Sequence, residues 1–259
     1  MLVPKKLICS ALEVAPGITL YHTGPSLDKG PMPAVFYFAL SGEDSLCLDP
    51  FNQPVQFLSD HPIRVFSLTL PAHEANLPPQ NALSVWADDM THQRDILSEF
   101  IEQAKQAISY VIEQKLTSED TIALAGLSRG GLVASLIAAE EKRARFILLF
   151  APVTILAKAK EFEKIQDNSL VKKANAFTVV DHIYDRHIKA YIGNRDVRVG
   201  TRNCFDFIEA LSHRAFENKI RSPQIEMVLS PSIGHQGHGT PPHIFKSGAN
   251  WLVECLLKI

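Results

Sequence analysis

Several features that would mark a specialised class are missing from this sequence. Its four cysteines, Cys9, Cys47, Cys204 and Cys255, are scattered with no Cys-x-x-Cys pair, which speaks against a zinc knuckle and a disulfide framework. Reduced thiols in a cytoplasmic protein are the expectation. No apolar run approaches the roughly 20 residues a membrane-spanning helix needs. The first ten residues hold Lys5 and Lys6 but too short an apolar stretch for a secretory signal, so no targeting segment is expected. Charge of one sign is lacking too. Twenty-six Lys and Arg against 28 Asp and Glu leave a formal net charge of −2. That balance gives no electrostatic footprint for nucleic acid or an anionic membrane. The local basic group Lys142, Arg143 and Arg145 is offset by Glu140 and Glu141, as at a solvated helix end. No Gly-x-x-x-x-Gly-Lys-Ser/Thr segment occurs, which disfavours a phosphate-cradling nucleotide site. Repeats, low-complexity tracts and linkers are likewise absent.

What is present is an ordinary globular composition, 46% hydrophobic and 21% charged over 259 residues, enough for one sizeable α/β core. Leu7–Val14 and Ile18–His22 flank Ala15-Pro16-Gly17 and read as an antiparallel hairpin at a sheet edge. Ala34–Leu40 and Ile63–Leu70 are near-continuous apolar runs, as expected of strands buried on both faces. After a loop containing Pro78-Pro79, one long helical stretch is predicted from about Ala82 to Gln114, with Ile96, Phe100, Ile101, Ala104, Ile108 and Val111 at helical spacing. Thr121–Ala125, Arg145–Phe150, Ile188–Ile192 and Ile225–Ser230 read as further strands. Leu132–Glu140, Phe205–Ala215 and Ser247–Leu257 read as helices. A polar, lysine-rich piece from Ala157 to Lys173 is predicted to be helical and to cap a cleft. The alternation implies one domain over residues 1–259, with a mostly parallel sheet covered by helices on both faces and a short cap at about 153–180. In such sheets ligands bind at the carboxyl ends of the strands, so the loops after Leu40, Leu70, Ala125, Ile192 and Ser230 should meet around one pocket.

Gly126-Leu127-Ser128-Arg129-Gly130-Gly131 falls where a strand passes directly into a helix. A serine there sits on a turn so tight that its own backbone is strained, and Gly126 and Gly130 are needed because side chains would strike the neighbouring elements. The turn exposes the Ser128 hydroxyl and aims helix N-terminal N–H groups at any negative charge forming beside it. A serine hydroxyl needs a general base, usually histidine, and the histidine needs a carboxylate to fix its tautomer. Gly193-Asn194-Arg195-Asp196-Val197-Arg198-Val199 follows the Ile188–Ile192 strand and puts Asp196 at its carboxyl end. A glycine-rich loop bearing His235, His238 and His243 follows the last strand. Those three histidines have no accompanying carboxylate or cysteine pattern, so no metal site is expected. His73 follows the Ile63–Leu70 strand and reads as a loop histidine.

With these three motifs in the order Ser, Asp, His, the chain resembles the α/β-hydrolase superfamily from about Ala34 onward. It is most similar there to prolyl-oligopeptidase-like and dienelactone-hydrolase-like esterases and peptidases, with only a catalytic domain covered. The resemblance implies the α/β-hydrolase fold and hydrolysis of carboxylic esters of small molecules through an acyl-enzyme, without metal or organic cofactor. It assigns Ser128 as nucleophile and Asp196 as the orienting acid. His235 is the favoured base, because it lies five residues beyond Ser230 and follows Gly234, with His238 as the alternative. The family often carries His-Gly after the first core strand, where this chain reads Leu40-Ser41-Gly42. Backbone N–H groups of Arg129 and of Leu40 or Ser41 are therefore the expected oxyanion donors. A serine peptidase or amidase, and a hydrolase-like scaffold that only binds a ligand or partner protein, remain the rival readings. Neither nucleic acid nor membrane is expected as a partner, and oligomeric state is not read.

Overall fold

Every second residue of the central strands faces the same side, and in this chain both sides are apolar. One face carries Phe36, Phe38, Leu124, Ile147, Leu149 and Ala190, and the other Val35, Tyr37, Ala123, Ala125, Leu148 and Tyr191. Such strands must be covered twice. The computed structural model, which describes residues 6–74 and 77–258, has that arrangement. The reading of the first ten residues as untargeted thus falls partly outside the described residues, as do two positions of the loop before Pro78. No helix among the described residues is long and apolar enough to cross a membrane.

The edge hairpin is present as β1 (Ser10–Ala15) and β2 (Ile18–Thr23), paired antiparallel. β3 (Ala34–Phe38) is buried throughout and leads into α1 (Gly42–Cys47) and α2 (Gln53–Leu58). β4 (Arg64–Ser67) precedes α3 (Ala82–Thr91) and α4 (Ile96–Glu113). β5 (Ile122–Leu127), α5 (Arg129–Glu140) and β6 (Ala144–Phe150) form the centre of the sheet. After β6 come two 3-10 turns, α6 (Ser169–Lys173), another 3-10 turn and α7 (Val180–Ile183). β7 (His187–Gly193), α8 (Thr201–Glu217), β8 (Ile225–Ser230) and α9 (Pro242–Leu257) complete the chain. The eight strands lie in the order β1-β2-β4-β3-β5-β6-β7-β8, parallel from β4 to β8. α1, α2 and α9 cover one face, and α3, α4, α5 and α8 the other.

Three readings of the sequence need correction. The single helix predicted over Ala82–Gln114 is two helices. Gln93 takes a left-handed backbone (φ 58°) and the Asp95 carboxylate accepts the Ser98 N–H at 3.1 Å, capping a new helix with its own start. Two short helices, α1 and α2, fill a stretch read only as connection. The Ala157–Lys173 piece is not one helix but 3-10 turns followed by the five-residue α6, held by buried Leu156, Phe162 and Val171. Arg64, fully buried in a central strand, donates to the carbonyls of Pro25, Ser26, Gly30 and Leu116, so its charge is solvated entirely by backbone.

Candidate active site

The β5–α5 turn sets Ser128 at φ 57°, ψ −116°, a region that costs a non-glycine residue on the order of 1–3 kcal/mol. The surrounding structure holds it there: the Ser128 N–H donates to Phe150 O at 2.8 Å, and Ser128 O accepts from Val153 and Gly131 at 3.0 Å each. A Cβ on Gly126 would overlap the Gly130 carbonyl, and one on Gly130 would overlap the Phe38 carbonyl. Helix α5 therefore lies directly against β3 and β5, and the serine is the residue pushed outward.

Asp196 is fully buried at the end of β7. Its Oδ1 accepts the N–H groups of Arg198 at 3.0 Å and Val199 at 3.1 Å, and its own N–H donates to Thr201 Oγ1 at 2.9 Å. The remaining oxygen, Oδ2, lies 2.7 Å from His238 Nδ1, and His238 Nε2 lies 2.9 Å from Ser128 Oγ. With Nδ1–H donating to the carboxylate, Nε2 carries the lone pair that accepts the serine hydroxyl proton. Hydroxyl, imidazole and carboxylate thus form one continuous chain of hydrogen bonds.

The histidine in that chain is His238, and His235 has to be replaced as the favoured residue. Ile233 and Gly239 pair as a short antiparallel bridge, so residues 234–238 bulge as a closed turn. His235 stands exposed on the bulge, while His238 lies at its inner end beside the bridge. Positive φ values at Gly234 (72°), Gln236 (58°) and Gly237 (73°) make the bulge possible. Contacts with the Asp196 turn fix its position: Val197 N–H donates to Gln236 O at 2.9 Å, Arg195 N–H to Ser232 Oγ at 2.7 Å, and Ser232 N–H to Asn194 Oδ1 at 3.0 Å. His243 lies in α9, away from this turn, and the described residues contain no cluster of three His, Cys, Asp or Glu able to hold a metal.

The second expected oxyanion donor, Leu40 or Ser41, narrows to one. Leu40 is unsuitable because its N–H donates to the buried Ser45 Oγ at 2.9 Å, an acceptor shared with Ala39 N–H at 3.1 Å. Ser41 caps α1 by accepting the Asp44 N–H at 3.0 Å, which leaves its backbone N–H as the remaining donor of that pair. The Arg129 N–H, first in α5, has no acceptor within the helix.

A narrow cleft of about 20 Å³ opens at Ser128, walled by Leu83, Val153, Ile155, Ala159 and Val199, with Lys158 and Arg198 supplying the charge. Ile155, Lys158 and Ala159 come from the segment between β6 and β7, so that segment overhangs the serine. Sequence reasoning assigned none of these lining residues a place in the cleft, although Arg198 and Val199 lie in the Asp196 turn and Lys158 and Ala159 in the piece expected to cap it. A cavity of about 360 Å³ between α4, α5 and α6 contains none of the three hydrogen-bonded side chains.

Two half-buried arginines flank the site. Arg129 donates to Pro79 O at 2.8 Å, and burial, then Arg198, pull its guanidinium down to about 10, so it stays charged at neutral pH. Arg198 meets Glu161 through both nitrogens, at 2.8 and 3.2 Å. His73 is buried rather than an exposed loop histidine. Burial first, then Arg129, push it down to about 4, and it donates from Nδ1 to Pro71 O at 2.9 Å. Burial, then the Asp196 charge, push the Cys204 thiol up to about 12.

Comparison with known proteins agrees with this architecture. The structure superposes on TT1662 from Thermus thermophilus with a TM-score of 0.73 at 18% identity, covering 97% of this chain and 99% of that one. It matches the Pyrococcus furiosus esterase Pf2001 with a TM-score of 0.64 at 18% identity, over 96% and 91% of the two chains. It matches prolyl oligopeptidase B of Galerina marginata with a TM-score of 0.66 at 16% identity, over 98% of this chain but 38% of that one. No curated protein sequence matches. The fold is the α/β-hydrolase fold, and the family model described as the prolyl oligopeptidase family matches residues 94–258, more than half of the chain. On that match, the chain belongs to the prolyl oligopeptidase family and is a serine hydrolase.

Proposed function

We propose that the protein hydrolyses carboxylic esters through an acyl-enzyme, with Ser128 as nucleophile, His238 as general base and acid, and Asp196 as the group that orients the imidazole. The reading is carried by the two contacts of His238, 2.9 Å to the hydroxyl and 2.7 Å to the buried carboxylate. Ser128 Oγ adds to the ester carbonyl as its proton passes to His238 Nε2. The tetrahedral oxyanion accepts the Arg129 N–H and, from the β3–α1 loop, the Ser41 N–H. Collapse expels the alkoxide with the proton from His238, and water repeats the sequence to release the acid.

Esters are preferred over peptides as substrates because one fold neighbour matched nearly end to end, Pf2001, is an esterase, whereas the oligopeptidase is matched over 38% of its length. Short-chain p-nitrophenyl esters test the reading. Ser128→Ala should keep the fold by circular dichroism while turnover falls about 10⁴- to 10⁶-fold. Equal turnover in parent and variant would remove Ser128 from the reaction.

A further inference from the structure

The charges around the cleft do not cancel, and the way they fail to cancel points to a substrate class. Arg198 is matched by Glu161, which bonds it through both carboxylate oxygens. Asp196 is matched by two N–H groups and His238. Lys158 is not matched. Its ammonium donates to Asn203 Oδ1 at 2.8 Å, a neutral acceptor, and it forms no ion pair among the described residues. The amide is itself fixed, since Asn203 Nδ2 donates to Val199 O at 2.8 Å and so turns Oδ1 toward the lysine. Asn203 thereby holds the solvent-exposed ammonium at the cleft without neutralising it. Arg129, adjacent to the nucleophile, donates to the Pro79 carbonyl, and the Glu161 carboxylate that pairs with Arg198 also acts on its charge. Three cations and two carboxylates, Glu161 and Asp196, therefore stand around the cleft, a net positive charge. Walls of low polarity concentrate that field on whatever occupies it.

We propose that the substrate is an ester of a short dicarboxylic acid, whose free carboxylate is held by Lys158, with Arg198 beside it, while its methylenes lie against Val153, Ile155 and Ala159. Lys158 lines the same narrow cleft as Ser128, which calls for a short acyl group, and its unpaired charge selects one that ends in an anion. Lys158 is a specificity-determining residue in this scheme and Asn203 a positioning residue. The inference rests on the ester-hydrolase reading and adds to it.

The test compares the 4-nitrophenyl half-ester of glutaric acid with neutral 4-nitrophenyl valerate, an acyl group of equal carbon number. The parent enzyme should prefer the half-ester by about ten- to a hundredfold in kcat/KM, mainly through a lower KM, as for a charge-assisted hydrogen bond. Added salt should shrink the preference. Lys158→Met should reduce the ratio of the two kcat/KM values toward one. Asn203→Asp, which keeps the lysine but sets a carboxylate against it, should do the same. Equal rates on both esters in the parent, or a preference unchanged by both substitutions, would overturn the inference while leaving ester hydrolysis standing. Failure to turn over either ester would instead count against the hydrolase reading itself and take this inference with it.

Discussion

The turn at Ser128 and the turn at His238 serve the same site but are built differently. At the first, position is enforced by contact with the sheet: Gly126 and Gly130 lie so close to neighbouring carbonyls that any side chain would displace α5 from β3. At the second, position is borrowed. Residues 233–239 are exposed or half-exposed, and their conformation depends on hydrogen bonds to the Asp196 turn some forty positions earlier in the chain. A turn of the first kind is fixed by its own sequence and the core beneath it. A turn of the second kind is fixed only when two loops meet.

Glycine substitutions would break this contrast most directly. Gly130→Ala drives a methyl group into the Phe38 carbonyl of a central strand and should cost at least about 3 kcal/mol, or prevent folding, as read by urea unfolding. Gly237→Ala combines a positive φ of 73° with an approach to the Arg195 carbonyl, in a surface turn that has room to shift. Its stability loss should be about 1–2 kcal/mol, while kcat falls ten- to a hundredfold because His238 is the next residue. Similar stability losses in the two variants would erase the distinction.

A smaller effect separates the histidines on the two sides. His73, buried near the Arg129 guanidinium, is held at about 4 against an ordinary 6.5, whereas His235 is exposed. The unfolded chain therefore takes up the His73 proton first as pH falls. The contribution of His73 is fully present above pH about 6.5 and is lost as pH falls toward 4, on the order of 3 kcal/mol in all. His73→Phe, of similar volume and without the unpartnered buried Nε2, should flatten the stability profile in that window, and His235→Phe should not.

The same contrast explains what could be read in advance. The edge hairpin, the buried strands and the Ser128 turn follow from apolar runs and glycine spacing, which act locally. The place of Asp196 at the carboxyl end of β7 followed from the Gly193-Asn194 turn, and its burial did not. The choice between His235 and His238 did not, because both follow a glycine and only the Ile233–Gly239 bridge distinguishes inside from outside. Leu40 failed as an oxyanion donor for a similar reason: Ser45, five residues on, folds back to accept its N–H. The break between α3 and α4 was marked by Asp95 as a cap, but continuous apolar spacing on both sides obscured it. Lys158 and Arg198 became visible as neighbours of Ser128 only once β6 and β7 lay side by side.

The role of His238 can be measured by the rate at which a fluorophosphonate labels Ser128 in the parent enzyme, in His235→Ala and in His238→Ala. An activated hydroxyl reacts and an unassisted one does not. The geometry predicts that His235→Ala labels within about twofold of the parent and that His238→Ala labels at least about a thousandfold more slowly. Rapid labelling of His238→Ala, or loss of labelling in His235→Ala, would contradict it.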